Sequence, residues 1–133
     1  MSLASNFVGT LTVDVIKVSA LPEKCDPYVV IKAGGNEVKT ARKNDCRDEA
    51  TFNQTLALSL DGSEDFVQID LMDWDRFSSD DVVATTGEVP LRDVLAWGTG
   101  EPVWVNLERK TGDKSHKTKL RMKVTFNHKN KKD

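Results

Sequence analysis

The chain has 133 residues, of which 38% are hydrophobic and 30% are charged, and its formal net charge at pH 7 is −2. This length suits one domain with its own hydrophobic core, and the balance of apolar and charged residues excludes a disordered or fibrous chain. No run approaches the roughly 18 apolar residues of a membrane-spanning helix, and the first residues lack the pattern of a signal peptide, so we expect a cytoplasmic protein.

Short alternating apolar stretches, separated by turn residues, recur along the chain. The first predicted strand lies in 9–21 (GTLTVDVIKVSAL), with Leu11, Val13 and Val15 on its buried face, Val18 as a further candidate, and its end before Pro22. Further strands are predicted at 28–33, 37–42, 55–60, 66–72, 88–91, 102–107 and 119–126, with a short helical turn at 92–97. Eight strands and no long helical period predict an all-β protein, an eight-stranded antiparallel β-sandwich.

The charged residues are unevenly distributed. Between positions 61 and 81, eight Asp or Glu accompany a single basic residue, whereas from position 109 onward ten Lys or Arg accompany two Asp. Such separation produces local potentials that select binding partners in a nearly neutral protein. We expect one domain at 9–127, an N-terminal extension at 1–8 and a basic C-terminal tail at 128–133.

Segment 68–81 (QIDLMDWDRFSSDD) carries several carboxylates directly after a predicted strand. Residues i and i+2 of an extended segment point to the same side, so Asp73 and Asp75 direct two carboxylates to one place, and Asp80 or Asp81 can return after the turn. Three converging carboxylates suit Ca²⁺, which takes about six to eight oxygen ligands. The alternative is a solvated turn, since Asp and Ser are common loop residues.

A second acidic position, Asp26, lies in CDPYV before the second predicted strand. An ordinary Asp-Pro turn is the alternative to a ligand at this position.

Three stretches, DPYVVIKAGGNEVKT, TFNQTLALSL and VQIDLMDWDRFSSDD followed by EVPL, resemble the C2 domain, the calcium-dependent lipid-binding β-sandwich named after protein kinase C. The similarity covers residues 11–126 and is most specific at DPYV and at the D-x-D-x5-D spacing of Asp73, Asp75 and Asp81. The strand order at the C-terminus is similar to the permuted, type II topology, and the hairpin after DPYV is similar to small plant members.

The resemblance implies a calcium site at one end of the sandwich, formed by neighbouring loops. Its implied ligands are Asp26, Asp73, Asp75 and Asp81, with Asp80 and Glu23 as further candidates.

The first loop departs from the family pattern. The family's usual acidic ligand, about six residues before Asp26, is replaced by Ala20, and the loop is only PEKC between Leu21 and Asp26. We therefore expect as few as one bound ion, with a dissociation constant on the order of 10⁻⁵ to 10⁻³ M.

Calcium in an incomplete shell of protein oxygens can bind the phosphate oxygens of an anionic phospholipid membrane. Phe77, beside Arg76 at the loop tip, is a candidate for insertion among the headgroups. The alternative is that it packs back against the sandwich.

The family's basic groove is matched by Tyr28, Lys32 and Lys39, the positions implied to bind phosphoinositide. A solvated basic face is the alternative for these residues.

Two functions follow from these features. The first is calcium-dependent peripheral binding to anionic phospholipid membranes, as a recruitment or adaptor module in signalling. The second is a calcium-independent C2-like scaffold that binds a protein partner or phosphoinositide through its basic face.

Other activities have weaker support. No enzyme is expected, because His116 and His128 both lie among lysines near the C-terminus, without the pattern of a catalytic relay. No nucleic-acid partner is expected, because no aromatic-and-basic stacking motif is present. Cys25 and Cys46 have no metal-ligand spacing and are expected as reduced thiols.

Overall fold

The structure, a computed structural model, describes residues 7–129, so 1–6 of the expected extension and 130–133 of the expected tail lie outside the described residues. Within this range the elements are β1 Val8–Ser19, β2 Pro27–Ala33, β3 Asn36–Lys39, β4 Glu49–Asp61, β5 Phe66–Asp73, β6 Asp81–Pro90, α1 Leu91–Ala96, β7 Val103–Arg109 and β8 Lys117–His128.

The eight strands pair antiparallel in the order β3-β2-β5-β6-β7-β8-β1-β4. β6 and β7 pair only at Ala84 with Arg109 and at Thr85 with Glu108, so the strands divide there into two four-stranded layers. The Asn36 side chain donates to the Ser59 carbonyl (2.8 Å), which links the outer strands β3 and β4. The predicted all-β, eight-stranded antiparallel sandwich is confirmed. The type II topology stays a prediction.

The core between the layers depends on alternation along each strand, interrupted by a bulge in β1. Val15 pairs with Met122 and Lys17 with Arg121, so Ile16 is an extra residue on β1. A bulge of this kind shifts the alternation by one position. Val18 therefore faces the core and is fully buried, although it lies three residues after Val15.

The sixth strand begins much earlier than predicted, at Asp81 instead of position 88. Two register shifts against β5 interrupt it. As a result Val83, Ala84 and Thr85 are buried in succession, and the alternation that marks a half-exposed strand is missing. The predicted bounds of β3 and β4 are also wrong, because β3 ends at Lys39 and β4 begins at Glu49.

One end of the sandwich gathers the loops that contain most of the candidate site residues. Pro27 on β2 pairs with Asp73 on β5, and Asp73 pairs with Asp81 on β6. At the other end of the same strands Phe66 pairs with Pro90, which precedes α1. Helix α1 thus lies far from the acidic loops. In the part of the chain that the structure describes, no helix has the length and apolar character needed to cross a membrane.

The core can be tested in β8, where Leu120 is fully buried and its neighbour Lys119 is exposed. Leu120→Ala should lower the free energy of unfolding by about 2–5 kcal/mol, because it removes packed methyl groups and leaves a cavity. Lys119→Ala should change it by no more than about 0.5 kcal/mol. Urea denaturation measures both variants. Equal losses would contradict the assignment of the two faces.

Candidate functional site

Three adjacent strands bring aspartates to one end of the sandwich. Asp73 ends β5 between Pro27 of β2 and Asp81 of β6. The backbone N–H of Asp26 donates to Oδ1 of Asp73 (2.9 Å), and the N–H of Trp74 donates to the carbonyl of Asp26 (3.0 Å). These bonds fix the two loops against each other, so Asp26, Asp73 and Asp81 form an acidic cluster.

This cluster carries uncompensated negative charge. Partial burial raises the pKa of Asp73, and repulsion from Asp26, Asp81 and Asp75 raises it further, against the lowering effect of the Asp26 N–H. Among residues 7–129, no Lys or Arg forms an ion pair with any of these four aspartates. The electrostatic potential at this end of the sandwich is therefore attractive to a cation.

The predicted ligand Asp75 stabilises its own loop. Oδ1 accepts from the N–H of Phe77 (2.8 Å), and Oδ2 accepts from the hydroxyl of Ser78 (2.9 Å). Because these donors stabilise the carboxylate, they lower the pKa of Asp75. Both carboxylate oxygens of Asp75 therefore accept hydrogen bonds within the turn after β5.

Asp80 connects the same loop to β2. Its Oδ1 accepts from the N–H of Asp75 (2.8 Å), and its Oδ2 accepts from the hydroxyl of Tyr28. Both bonds lower the pKa of Asp80. Burial and then the bond to Asp80 raise the pKa of Tyr28 to about 12. The sequence motif did not reveal this pairing, because the two residues are far apart in the chain.

The donor chemistry suits calcium, while the arrangement is an open cluster. Carboxylate oxygens are the ligands that Ca²⁺ prefers. Yet no group of three or more His, Cys, Asp or Glu among residues 7–129 is disposed to hold a metal ion. Asp75 and Asp80 are bonded within their loop, and Glu23 is exposed in the short first loop. Asp26, Asp73 and Asp81 have carboxylate oxygens of the kind that Ca²⁺ prefers and lie at the ends of adjacent strands.

The loop tip carries an exposed aromatic ring beside cations. Phe77 is 89% exposed, so it does not pack back against the sandwich. The guanidinium of Arg76 lies 5.9 Å from the centroid of its ring. Nearby in the same loop, Trp74 is covered by the guanidinium of Arg42 at 3.7 Å. The tip therefore presents an exposed aromatic ring next to one exposed basic side chain, Arg76.

The predicted basic face on β2 and β3 is partly neutralised. Lys32 forms an ion pair (3.3 Å) with Asp70, which is almost fully buried. In the β2–β3 pairing, Lys32 also lies directly opposite Glu37. Lys39 lies with its ammonium 6.0 Å from the ring centroid of Tyr28. Two of the three candidate groups, the Lys32 ammonium and the Tyr28 hydroxyl, thus already have partners within the domain.

Comparison with known proteins gives consistent matches. The sequence profile of the C2 domain matches residues 9–107. An uncharacterized protein, PYUK71.03c of Schizosaccharomyces pombe (strain 972 / ATCC 24843), is 35% identical over 81 residues, which are 56% of this chain and 6% of that protein. This chain therefore spans only a small part of that relative.

Two solved structures share the fold at low identity. A C2 domain-containing protein from a putative elicitor-responsive gene superposes with a TM-score of 0.76 at 19% identity, covering 99% of this chain and 98% of that one. A calcium-bound structure of two C2 domains of Extended-Synaptotagmin 2 superposes with a TM-score of 0.71 at 18% identity, covering 92% of this chain and 46% of that one.

The bond between Tyr28 and Asp80 can be tested directly, because Tyr28 is the single tyrosine of the chain. In the native protein its ionisation, followed by ultraviolet difference absorbance, should have a pKa of about 12, against about 10 in denaturant. The native state then holds the phenolic proton through a range in which the unfolded state releases it. Stability should therefore fall as the pH rises through that range.

Substitution separates the causes of this shift. Asp80→Asn keeps an acceptor oxygen but removes the charge, and should lower the native pKa of Tyr28 towards its ordinary value. Glu37→Gln is the matched control, since Glu37 contributes least to the shift. A native tyrosine that titrates at the ordinary value would contradict the bond.

Proposed function

Because the chain belongs to the C2 domain family, we propose that it is a peripheral membrane module that binds anionic phospholipid when Ca²⁺ occupies the acidic cluster. The observation that supports this most is the alignment of Asp26, Asp73 and Asp81 at the ends of adjacent strands without a basic partner among the described residues. Like charges so placed repel one another, and a divalent cation relieves the repulsion.

Asp26, Asp73 and Asp81 hold the ion in this proposal. Asp75, Asp80 and Glu23 are candidate ligands of lower rank. The carboxylates of Asp75 and Asp80 already accept hydrogen bonds within the loop, and Glu23 is exposed. When bound, the ion supplies positive charge and open coordination positions for lipid phosphate oxygens. Because the pKa of Asp73 is raised, protons compete with the cation more strongly there than at an ordinary aspartate.

The loop tip supplies the apolar part of membrane contact. Phe77 already faces away from the sandwich and has no core contact to lose on insertion. Arg76 beside it can approach the acidic headgroups. Asp75 keeps the tip in shape through its bonds to Phe77 and Ser78.

The proposed setting is the cytoplasm, with recruitment to the membrane as Ca²⁺ rises and the domain at 9–127 acting as an adaptor. The C2 domain is a binding module, and we propose no catalytic activity for it. The shortened first loop favours few ions and weak affinity. A calcium-independent scaffold acting through the basic face has less support, because Lys32 and Tyr28 are engaged within the domain.

Calcium binding should appear as a thermal shift. With about 1 mM Ca²⁺ and a dissociation constant of about 10⁻⁴ M, binding to the native state raises the free energy of unfolding by roughly 1.4 kcal/mol. The melting temperature should therefore be a few degrees higher than in a chelator control. Asp73→Asn should abolish the rise. Asp93→Asn, which alters an exposed carboxylate in α1 at the opposite end, should keep it. A wild-type protein with no shift would favour the calcium-independent scaffold.

Phe77 should contribute to docking without contributing to stability. Phe77→Ala should reduce calcium-dependent co-sedimentation with phosphatidylserine vesicles by about three- to tenfold, because it removes apolar surface that can enter the interface. The melting temperature should stay unchanged. Phe66→Ala is the matched control, since Phe66 is 45% exposed at the opposite end. Equal losses for both variants would show that the loop tip does not face the membrane.

A further inference from the structure

Two free cysteines lie opposite each other beside the acidic cluster. Cys25 and Cys46 form an isolated antiparallel bridge between the first loop and the segment before β4. The N–H of Cys25 donates to the carbonyl of Cys46 (3.1 Å), and the N–H of Cys46 donates to the carbonyl of Cys25 (2.9 Å). Cys25 and Cys46 are therefore directly opposed residues of a hydrogen-bonded pair, and the Cys46 thiol contacts the carbonyl of Asn44 (3.6 Å).

This pairing places the cysteines within disulfide range. The Cα atoms of a hydrogen-bonded antiparallel pair are about 5.5 Å apart, inside the range of roughly 4.4–6.8 Å seen across disulfides. Directly opposed residues also direct their side chains to the same face. The Cα separation of such a pair is therefore compatible with a disulfide between the two side chains.

We propose that Cys25 and Cys46 are a redox-active pair that forms a reversible intramolecular disulfide by exchange with a small-molecule disulfide. The proposal goes beyond the membrane function and does not require calcium binding. The chain has only these two cysteines, so one intramolecular bond is possible.

The exposures of the two thiols set the order of the exchange. Cys46 is partly exposed, whereas Cys25 is only 5% exposed. The Cys46 thiolate attacks one sulfur of the small disulfide, forms a mixed disulfide and releases the first small thiolate. The Cys25 thiolate then attacks Sγ of Cys46 and releases the second. The two thiol protons pass to the two departing thiolates, so the protein loses two electrons and the small disulfide gains them.

The geometry of a hydrogen-bonded antiparallel pair also favours a disulfide that can be reduced again. The Cβ atoms of a hydrogen-bonded pair are about 5.5 Å apart, whereas a disulfide places them about 3.8 Å apart. Bond formation must draw the two segments together. A disulfide made under such a constraint is more easily reduced.

Oxidation of the two cysteines would also restrain the segments at the acidic end of the sandwich. Asp26 follows Cys25, Asp45 precedes Cys46, and the N–H of Asp45 donates to Oδ1 of Asp26 (2.7 Å). The disulfide would hold these two segments together covalently. It therefore lies where it can alter the position of Asp26.

The test exposes the folded chain, with chelator present, to mixtures of reduced and oxidised glutathione. Remaining thiols are blocked with a maleimide, and the intact mass is measured. We expect the wild type to lose the mass of two hydrogen atoms and both maleimide sites, and a dithiol reductant to restore them. Cys25→Ser should accumulate a glutathione adduct on the partly exposed Cys46. Cys46→Ser should react several-fold more slowly, because Cys25 is buried.

Each contrary result overturns the proposal. Stable wild-type adducts without the loss of two hydrogen atoms would show that the second exchange does not occur. Intermolecular dimers, an unreacted chain at high oxidant, or a disulfide that forms only in denaturant would do the same. Because chelator is present throughout, none of these results depends on the calcium proposal. Circular dichroism checks that each variant is folded, with Cys25→Ala as the substitute if Cys25→Ser is not.

Discussion

The structure depends on the register of β2, β5 and β6 at the end where they carry their aspartates. Pro27, Asp73 and Asp81 are aligned across the three strands, and the N–H of Asp26 donates to Asp73. This alignment concentrates like charges, which would separate if the strands were free to move. The strands are held because their other faces are buried in the core, through residues such as Val29 and Leu71. A shift of one residue would turn those apolar side chains to solvent.

The register of these strands places carboxylates that look equivalent in the sequence in different surroundings. Asp75 and Asp80 receive backbone and hydroxyl donors, which stabilise their charged forms and build the loop. Asp73 is partly buried among other carboxylates, and its charged form is disfavoured. Loop shape and cation attraction are therefore separate properties of neighbouring residues. A variant at Asp80 tests the loop, and a variant at Asp73 tests the cluster.

Alternation in the sequence was sufficient to predict the fold, but it did not give the bounds of every strand. All eight strands and the helical turn were found in order, because most segments keep a period of two. The bulge at Ile16 breaks that period in β1, and the register shifts against β5 break it in β6, whose early start at Asp81 the alternation did not predict. The acidic residues were also recognisable as candidates, since D-x-D-x5-D is a local pattern, and their role as ligands stays a prediction. The bond from Tyr28 to Asp80 and the pairing of Cys25 with Cys46 join segments that are distant in the chain, and no local pattern contains them.

The position of the cysteine pair connects the two proposals through one backbone segment. Residues 25 and 26 carry a thiol and a carboxylate in succession, and each is bonded to the segment at 45 and 46. Reduced, this contact consists of hydrogen bonds between the two segments. Oxidised, it would become covalent, and Asp26 would lose freedom to adjust around a cation. Calcium tolerates flexible geometry and binds through ligands that can move to it. A disulfide that restrains Asp26 would therefore change the calcium affinity, in a direction set by the distance between the restrained position of Asp26 and its position in the calcium-bound state.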